Sequence, residues 1–363
     1  MDRTSLTVVP FLTALIISLV VTPLTIFIFT KFGFVVDPKK SPHPAHIHKV
    51  PVPKGGGIPV FLAVAVTALL LLKLDQHLVA ILLAMAVTLV VGLFDDIKNM
   101  RPLPRLGFNL LSALIVVGAG IGIAYVTNPF GRGILDLSVP RFSLWLFGER
   151  REIWIWSDLF ALLWIPFLMN AINWSSGVDG QASGVITVAA FVIGLLSLTY
   201  SADITQWPVA ILAFGLSGAF LGLTVFHFFP QKIMPGYSAT TLAGLLLAIL
   251  SILSTTKVGT AVMVLGLPLI DAGYTIIRRL VAGKSPFWGD RGHLHHKLLD
   301  LGWGKRRVAI FYWSITALLG VLALNLTARM KLFAIVGLAV GVAGLLLWIY
   351  FGSSSRQPDR GSG

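Results

Sequence analysis

The sequence predicts an all-α, polytopic integral membrane protein of about eleven (10–11) transmembrane helices. Its cleft faces the cytoplasm, and a short extracytoplasmic β-hairpin is inserted between two spans. Three observations carry this. The 363 residues are 56% hydrophobic and 12% charged, where a soluble protein of this length carries about 25% charged residues. Apolar runs of about 17 to 25 residues, the length a helix needs to cross the hydrocarbon core, recur along the whole chain. The runs are continuous rather than alternating, which excludes a barrel, the other structure that satisfies its backbone in lipid.

The first run, "VVPFLTALIISLVVTPLTIFIFT", is long enough to span and lacks a small-residue cleavage site, so it reads as the first helix rather than a cleaved leader. The spans then fall at 7–30, 56–73, 78–94, 107–126, 158–172, 183–200, 207–226, 239–256, 258–279, 308–325 and 332–351. Residues 127–157 alternate apolar and polar and contain Gly and Pro, which predicts the β-hairpin outside the membrane. Residues 1–351 form one transmembrane domain, and the polar tail 352–363 is expected to be disordered.

Orientation follows from Lys and Arg. With the N-terminus outside, loops 31–55, 95–106, 173–182, 227–238 and 280–307, the adjoining helix ends and the C-terminal tail face the cytoplasm. They hold 19 of the 28 basic residues and the other side holds 9, as the positive-inside rule requires. The same choice puts every unusual polar motif on one face. The net charge of +13 is thereby explained by topology and anionic headgroups. Nucleic acid is not an expected partner, because the basic residues are spread over membrane loops. The absence of cysteine removes disulfides, Cys-zinc sites and Cys nucleophiles.

The first cytoplasmic loop, "DPKKSPHPAHIHKVPVPKGGG", reads as a basic loop at an anionic surface or as an anion cradle. In the second reading Lys49 and Lys54 supply charge, and Gly55, Gly56 and Gly57 open the backbone to a phosphate. In "GLFDDIKNMRPLPR", Asp95 and Asp96 end a membrane helix, where carboxylates oppose the macrodipole. Ionisable groups at membrane depth are functional candidates, and paired carboxylates suit Mg²⁺ or proton transfer. "NAINWSSGVDGQASG" interrupts two apolar runs and converges Asn170, Asn173 and Asp179 on one mouth. Further on, Asp271 lies inside an apolar helix with Arg278 on the same face, which is also what a structural ion pair would look like. "GDRGHLHH" packs Asp290, Arg291, His293, His295 and His296 together as a diphosphate-binding cluster. Zinc is the rival ligand there, but no Cys is available to complete a common structural zinc site. "AGKS" resembles the end of a P-loop, but Arg278 stands where the earlier glycine is needed.

These motifs resemble those of the polyprenyl-phosphate N-acetylhexosamine-1-phosphate transferases, glycosyltransferase family 4. The match rests on "HKVPVPKGGG", "DDIK", "NAINWSSGVDGQASG" and "PLIDAGYTIIRRLVAGKSPFWGDRGHLHHKLLDLGW", in order, over about 31–325. "HLHH" is closer to the GlcNAc-1-phosphate branch than to the phospho-MurNAc-pentapeptide branch. The resemblance implies transfer of N-acetylhexosamine-1-phosphate, GlcNAc-1-phosphate by that branch, from a UDP-sugar to undecaprenyl or another polyprenyl phosphate, releasing UMP and initiating cell-envelope glycan synthesis. It implies Mg²⁺ (or Mn²⁺), a multi-pass location in the inner (plasma) membrane, and an active site facing the cytoplasm. A homodimer is left open. Carried over by position, Asp95, Asp96 and Asp179 are the catalytic and metal-binding acids. Lys54, Asn170, Asn173, Asp271, Arg291, His293, His295 and His296 bind the substrates.

Two positions depart from the family pattern. The hairpin form N-x-x-N-x-x-D-G-x-D-G has Ser176 at its first acid, and the "GD-G-S" aspartate of the fourth loop is replaced by Tyr237. Hydroxyls are poor Mg²⁺ ligands beside carboxylates. The alternative reading is therefore a catalytically altered or inactive binder or translocator of polyprenyl-linked sugars. An ion-coupled transporter would suit an intramembrane Asp271, but no inverted repeat is visible.

Overall fold

The computed structural model describes residues 3–36, 51–128, 133–146, 149–199, 204–254, 257–285 and 291–354. Lys49, Asp290 and residues 355–363 of the tail lie outside them. The helices are α1 (Arg3–Lys31), α2 (Gly57–Leu71), α3 (Gln76–Lys98), α4 (Pro102–Gly118), α5 (Ile155–Trp174), α6 (Gln181–Thr199), α7 (Trp207–His227), α8 (Gly236–Leu253), α9 (Lys257–Val264), α10 (Gly266–Val281), α11 (Leu294–Asp300), α12 (Lys305–Asn325) and α13 (Ala328–Ser354). Residues 352–354 of the expected tail continue α13.

Among the described residues eight helices are long and apolar enough to cross a membrane, or nine if a bent pair counts as one span. Two further apolar helices, α2 and α4, have 15 and 17 residues, about 22–26 Å at 1.5 Å per residue, short of the roughly 30 Å hydrocarbon core. The chain is thus a mostly helical polytopic membrane protein. Two expectations change in detail. The run expected at 107–126 is helical from Pro102 to Gly118, where Gly120 takes φ +88° and turns the chain out. The span expected at 258–279 is two helices set at 84°. Pro268, in the first turn of α10, has no N–H to continue the ladder across the junction.

The single hairpin expected within 127–157 is two antiparallel pairs. β3 (Tyr125–Thr127) pairs with β4 (Ile134–Asp136), and β5 (Arg141–Leu146) with β6 (Glu149–Trp154). A third pair joins β1 (Val35–Val36) to β2 (Val52–Pro53).

Helix α8 is the axis of the bundle, packed by α2, α3, α5, α7 and α9 and almost wholly buried. Helix α1 lies along α7. Lipid is as apolar as a leucine face, so small residues and polar links choose the partners. Ser18 Oγ donates to the Ala219 carbonyl at 2.7 Å, Thr88 and Ser112 hydroxyls meet at 3.0 Å, and Trp164 Nε1 donates to Ser251 Oγ at 3.0 Å. The N-terminus of α8 opens at the same end of the bundle as the C-terminus of α3.

Candidate active site

The first and fourth loops are stitched together before they form anything else. Lys54 bridges Met234 in parallel. Met234 N–H donates to the Pro53 carbonyl at 2.9 Å, and Gly56 N–H to the Met234 carbonyl at 3.3 Å. Gly57 N–H donates to Ser238 Oγ at 3.3 Å. The amides of Gly56 and Gly57, expected to cradle a phosphate, are therefore spent on holding the two loops together. Lys54 is delivered to the cavity by that seam.

The two adjacent acids are held by different donors. They occupy the last turn of α3, which Asn99 closes in the left-handed region at φ 55°, a conformation Asn tolerates. Asp95 accepts from Met100 N–H at 2.9 Å and forms an ion pair with Arg105, Nε to Oδ1 2.6 Å. Asp96 instead caps α8. Its carboxylate accepts from Tyr237 N–H at 2.7 Å, Ser238 N–H at 3.1 Å and Ser238 Oγ at 2.6 Å. An acid that opposes the dipole of its own helix thus finds the positive end of another. Gly236 makes this approach, with φ +68° and a position where a Cβ would overlap the Asp96 carboxylate.

The polar hairpin between α5 and α6 supplies the opposite wall. Asn173 Oδ1 accepts from Thr240 Oγ1 at 2.9 Å, and Ser176 Oγ donates to the Asn173 carbonyl at 2.5 Å. Asp179 is almost fully buried and is held by Lys305, whose Nζ lies 3.1 and 3.3 Å from its two oxygens. Gly180 N–H donates to His227 Nε2 at 3.3 Å, which leaves Nδ1 to carry the proton toward Ser183 Oγ, 2.9 Å away. Asn170 turns back along α5 to the Pro166 carbonyl at 2.7 Å.

Asp271 does not pair with Arg278 as its spacing suggested. Its carboxylate accepts from Leu294 N–H at 2.7 Å, at the start of α11, and lies 2.8 Å from His293 Nδ1. His293 and His295 stack at 5.6 Å, and His295 and His296 lie at 4.3 Å. Burial pushes His295 well below the ordinary imidazole range, with its two neighbouring imidazoles and Arg291 adding repulsion. Burial, then Arg291 and His293, push His296 down to about 4. Arg291 pairs with Asp300 at 2.8 Å. The His295 ring presses on the hairpin at Gly177, where a Cβ would overlap it.

These walls enclose a cavity of about 240 Å³. Of the expected site residues, Lys54, Asp95, Asp96, Asn173 and Asp179 line it. Asp271, Arg291 and the three histidines stand behind the hairpin, touching it through Gly177, and Asn170 is not in the lining. Sequence reasoning passed over Asn99, Arg105, His227 and Gln231, which line the cavity, and Lys305. Of these, Lys305 stands at a locally unfavourable position. Lys305, Arg306 and Arg307 fill the first turn of α12 with no acid among them, where positive charge opposes the dipole.

The donors do not fit the expected Mg²⁺. Among the described residues no three His, Asp or Glu side chains gather as a metal cage. Each expected ligand is already engaged: Asp95 by Arg105, Asp96 by the α8 amides, Asp179 by Lys305.

Fold and site together define a polytopic membrane protein with a polar cleft, lined by acids and bases, at one end of the helix bundle. The family profile described as "Glycosyl transferase family 4" matches residues 78–255. Over that stretch the chain is similar to this family. It is 28% identical to the decaprenyl-phosphate N-acetylglucosaminephosphotransferase of Mycobacterium tuberculosis, over 96% of this chain and 90% of that protein. A probable undecaprenyl-phosphate N-acetylglucosaminyl 1-phosphate transferase of Bacillus subtilis is 26% identical, over 90% and 88%. The phospho-N-acetylmuramoyl-pentapeptide-transferase of Moorella thermoacetica is 25% identical, over 78% and 86%.

Proposed function

We propose that this protein transfers an N-acetylhexosamine 1-phosphate, GlcNAc-1-phosphate in the reading that the first relatives support, from a UDP-sugar to a polyprenyl phosphate. The observation that carries the proposal is the meeting of Lys54, Asp95, Asp96, Asn173 and Asp179 around one cavity. They come from three loops, in a chain similar to this family. A phosphate oxygen of the lipid attacks the sugar-bearing phosphorus of the donor. The new P–O bond forms as the bond from that phosphorus to the bridging oxygen breaks, and UMP leaves with the electron pair. Such transfer is largely positioning and charge neutralisation. Lys54 and Arg105 offer the cationic side chains that line the cavity. The hairpin, held by His227 and backed by His295, orients the nucleotide.

In this reading α2 and α4 and the bent α9–α10 pair complete eleven crossings. The site faces the cytoplasm of an inner-membrane protein, where a soluble UDP-sugar is found. The test is UMP release by the purified chain in nanodiscs with undecaprenyl phosphate and a panel of UDP-sugars. Release with one sugar is expected, and Asp95→Asn and Asp179→Asn should each lose most of it. The second reading, binding or translocation of a polyprenyl-linked sugar without transfer, is favoured by Ser176 and Tyr237. It requires binding of the lipid and no release with any sugar.

A further inference from the structure

We infer that Lys305 and Arg105 supply from within the chain the positive charge expected of a divalent cation, so that transfer at this site runs without one. The cation half of this inference is independent of the proposed reaction; the transfer half rests on it.

Mg²⁺ demands a near-octahedral set of oxygens at about 2.0–2.1 Å. It keeps several waters and takes one or two carboxylates besides substrate phosphates; the carboxylates of the cavity wall are Asp95, Asp96 and Asp179, with Ser176 and Tyr237 beside them. Asp179 has both oxygens within 3.3 Å of one ammonium and is almost closed off from solvent. Asp96 spends both oxygens on the amides of α8 and the Ser238 hydroxyl. Asp95 shares Oδ1 between Arg105 and the Met100 amide. The two hydroxyls that stand in for acids turn away. Ser176 Oγ bonds the Asn173 carbonyl, and the Tyr237 hydroxyl bonds Asn109 on α4, accepting from its Nδ2 at 3.0 Å.

The substitutions and the bases form one arrangement. Arg105 lies over the Tyr237 ring, 5.1 Å from its centroid, a cation–π contact that an acid at 237 could not make. Arg105 also reaches Asn99 Oδ1 at 3.3 Å, so its guanidinium is fixed from three sides. Lys305 sits at the start of α12 against the Phe229 ring, and Asp179 offsets its unfavourable position on the helix dipole. Arg105 on the wall and Lys305 behind Asp179 thus set cations of the chain's own beside these carboxylates. A metal entering at Asp179 would have to displace Lys305, and one at Asp95 would meet the Arg105 guanidinium beside it.

The test uses the full chain in nanodiscs and reads two quantities. Electron paramagnetic resonance of Mn²⁺ measures whether the protein takes up the ion. No saturable uptake is expected; one bound equivalent overturns the inference whatever the activity. UMP release is then compared in EDTA and in Mg²⁺. Rates within about twofold are expected, and a loss of tenfold or more in EDTA that Mg²⁺ restores overturns it. If no UMP is released under either condition the proposed reaction fails, and Mn²⁺ uptake still decides the cation question. Lys305→Ala, which unmasks Asp179, should gain Mn²⁺ uptake that the double variant with Asp179→Ala lacks. Equal uptake by both would overturn the role of Lys305. Should Lys305→Ala fail to fold, the wild-type uptake measurement carries the decision.

Discussion

Asp96 joins two helices through three hydrogen bonds. Asp96→Asn keeps the volume but loses one acceptor for the α8 amides. It should lower stability by about 1–2 kcal/mol, measured by thermal unfolding in detergent. A variant as stable as the parent would show that the cap is not energetic. The histidines behind the hairpin contribute to the pH response. His295 and His296 are depressed in the fold, and His296 to about 4, against about 6.5 unfolded. The unfolded chain therefore binds protons first, so stability is full above about pH 6.5 and falls as pH drops toward about 4. Unfolding temperatures between pH 7 and 4.5 should trace that slope, and His296→Gln should flatten it. At this scale the acids were legible because a carboxylate is rare in an apolar chain. The bases were less so. Arg105 and Lys305 are what the positive-inside rule places at any cytoplasmic helix end, so their signal was absorbed by topology. Asn170 misled because Asn170 and Asn173 are one helical turn apart, and only one of them faces the cavity.

Among the elements, α8 depends most on one backbone position. Gly236 combines a positive φ with contact against the Asp96 carboxylate. Gly236→Ala should cost upward of about 1 kcal/mol from conformation alone and more from displacing Asp96. Its thermal shift should exceed that of an alanine at Gly273, which is open to space. The long helices could be read from hydropathy to within a few residues. Elements shaped by a single residue could not. A window average passes over Pro268 and merges α9 with α10. The alternation in 127–157 announces strands but not their division into two pairs between Asp136 and Arg141.

At the level of the whole molecule, the proposed topology can be tested directly because the chain has no cysteine. Leu135→Cys, on β4, and Leu301→Cys, after α11, are both exposed positions. A membrane-impermeant maleimide on intact cells should label the first and spare the second until the cells are opened. The reverse pattern would turn the proposed orientation over. That the polar loops share one end of the bundle was legible from charge counting. The seam that joins the first loop to the fourth was not, since it is made of backbone hydrogen bonds that no side-chain pattern announces.

The link from Asp96 to α8 also sets a clock on biosynthesis. The carboxylate and the amide that caps it lie 141 residues apart in the chain. At about 5–20 residues per second the ribosome needs roughly 7–28 s to deliver the second after the first. Through that interval the end of α3 carries an acid with no helix to cap, and it must stay hydrated at the bilayer surface. The cleft closes only when α8 docks and takes up that charge, and Lys305 reaches Asp179 later still. Chains released before α12 would insert most of their helices and yet have no finished site, and in pulse-labelled, staged truncations protection of the cleft should lag behind membrane insertion.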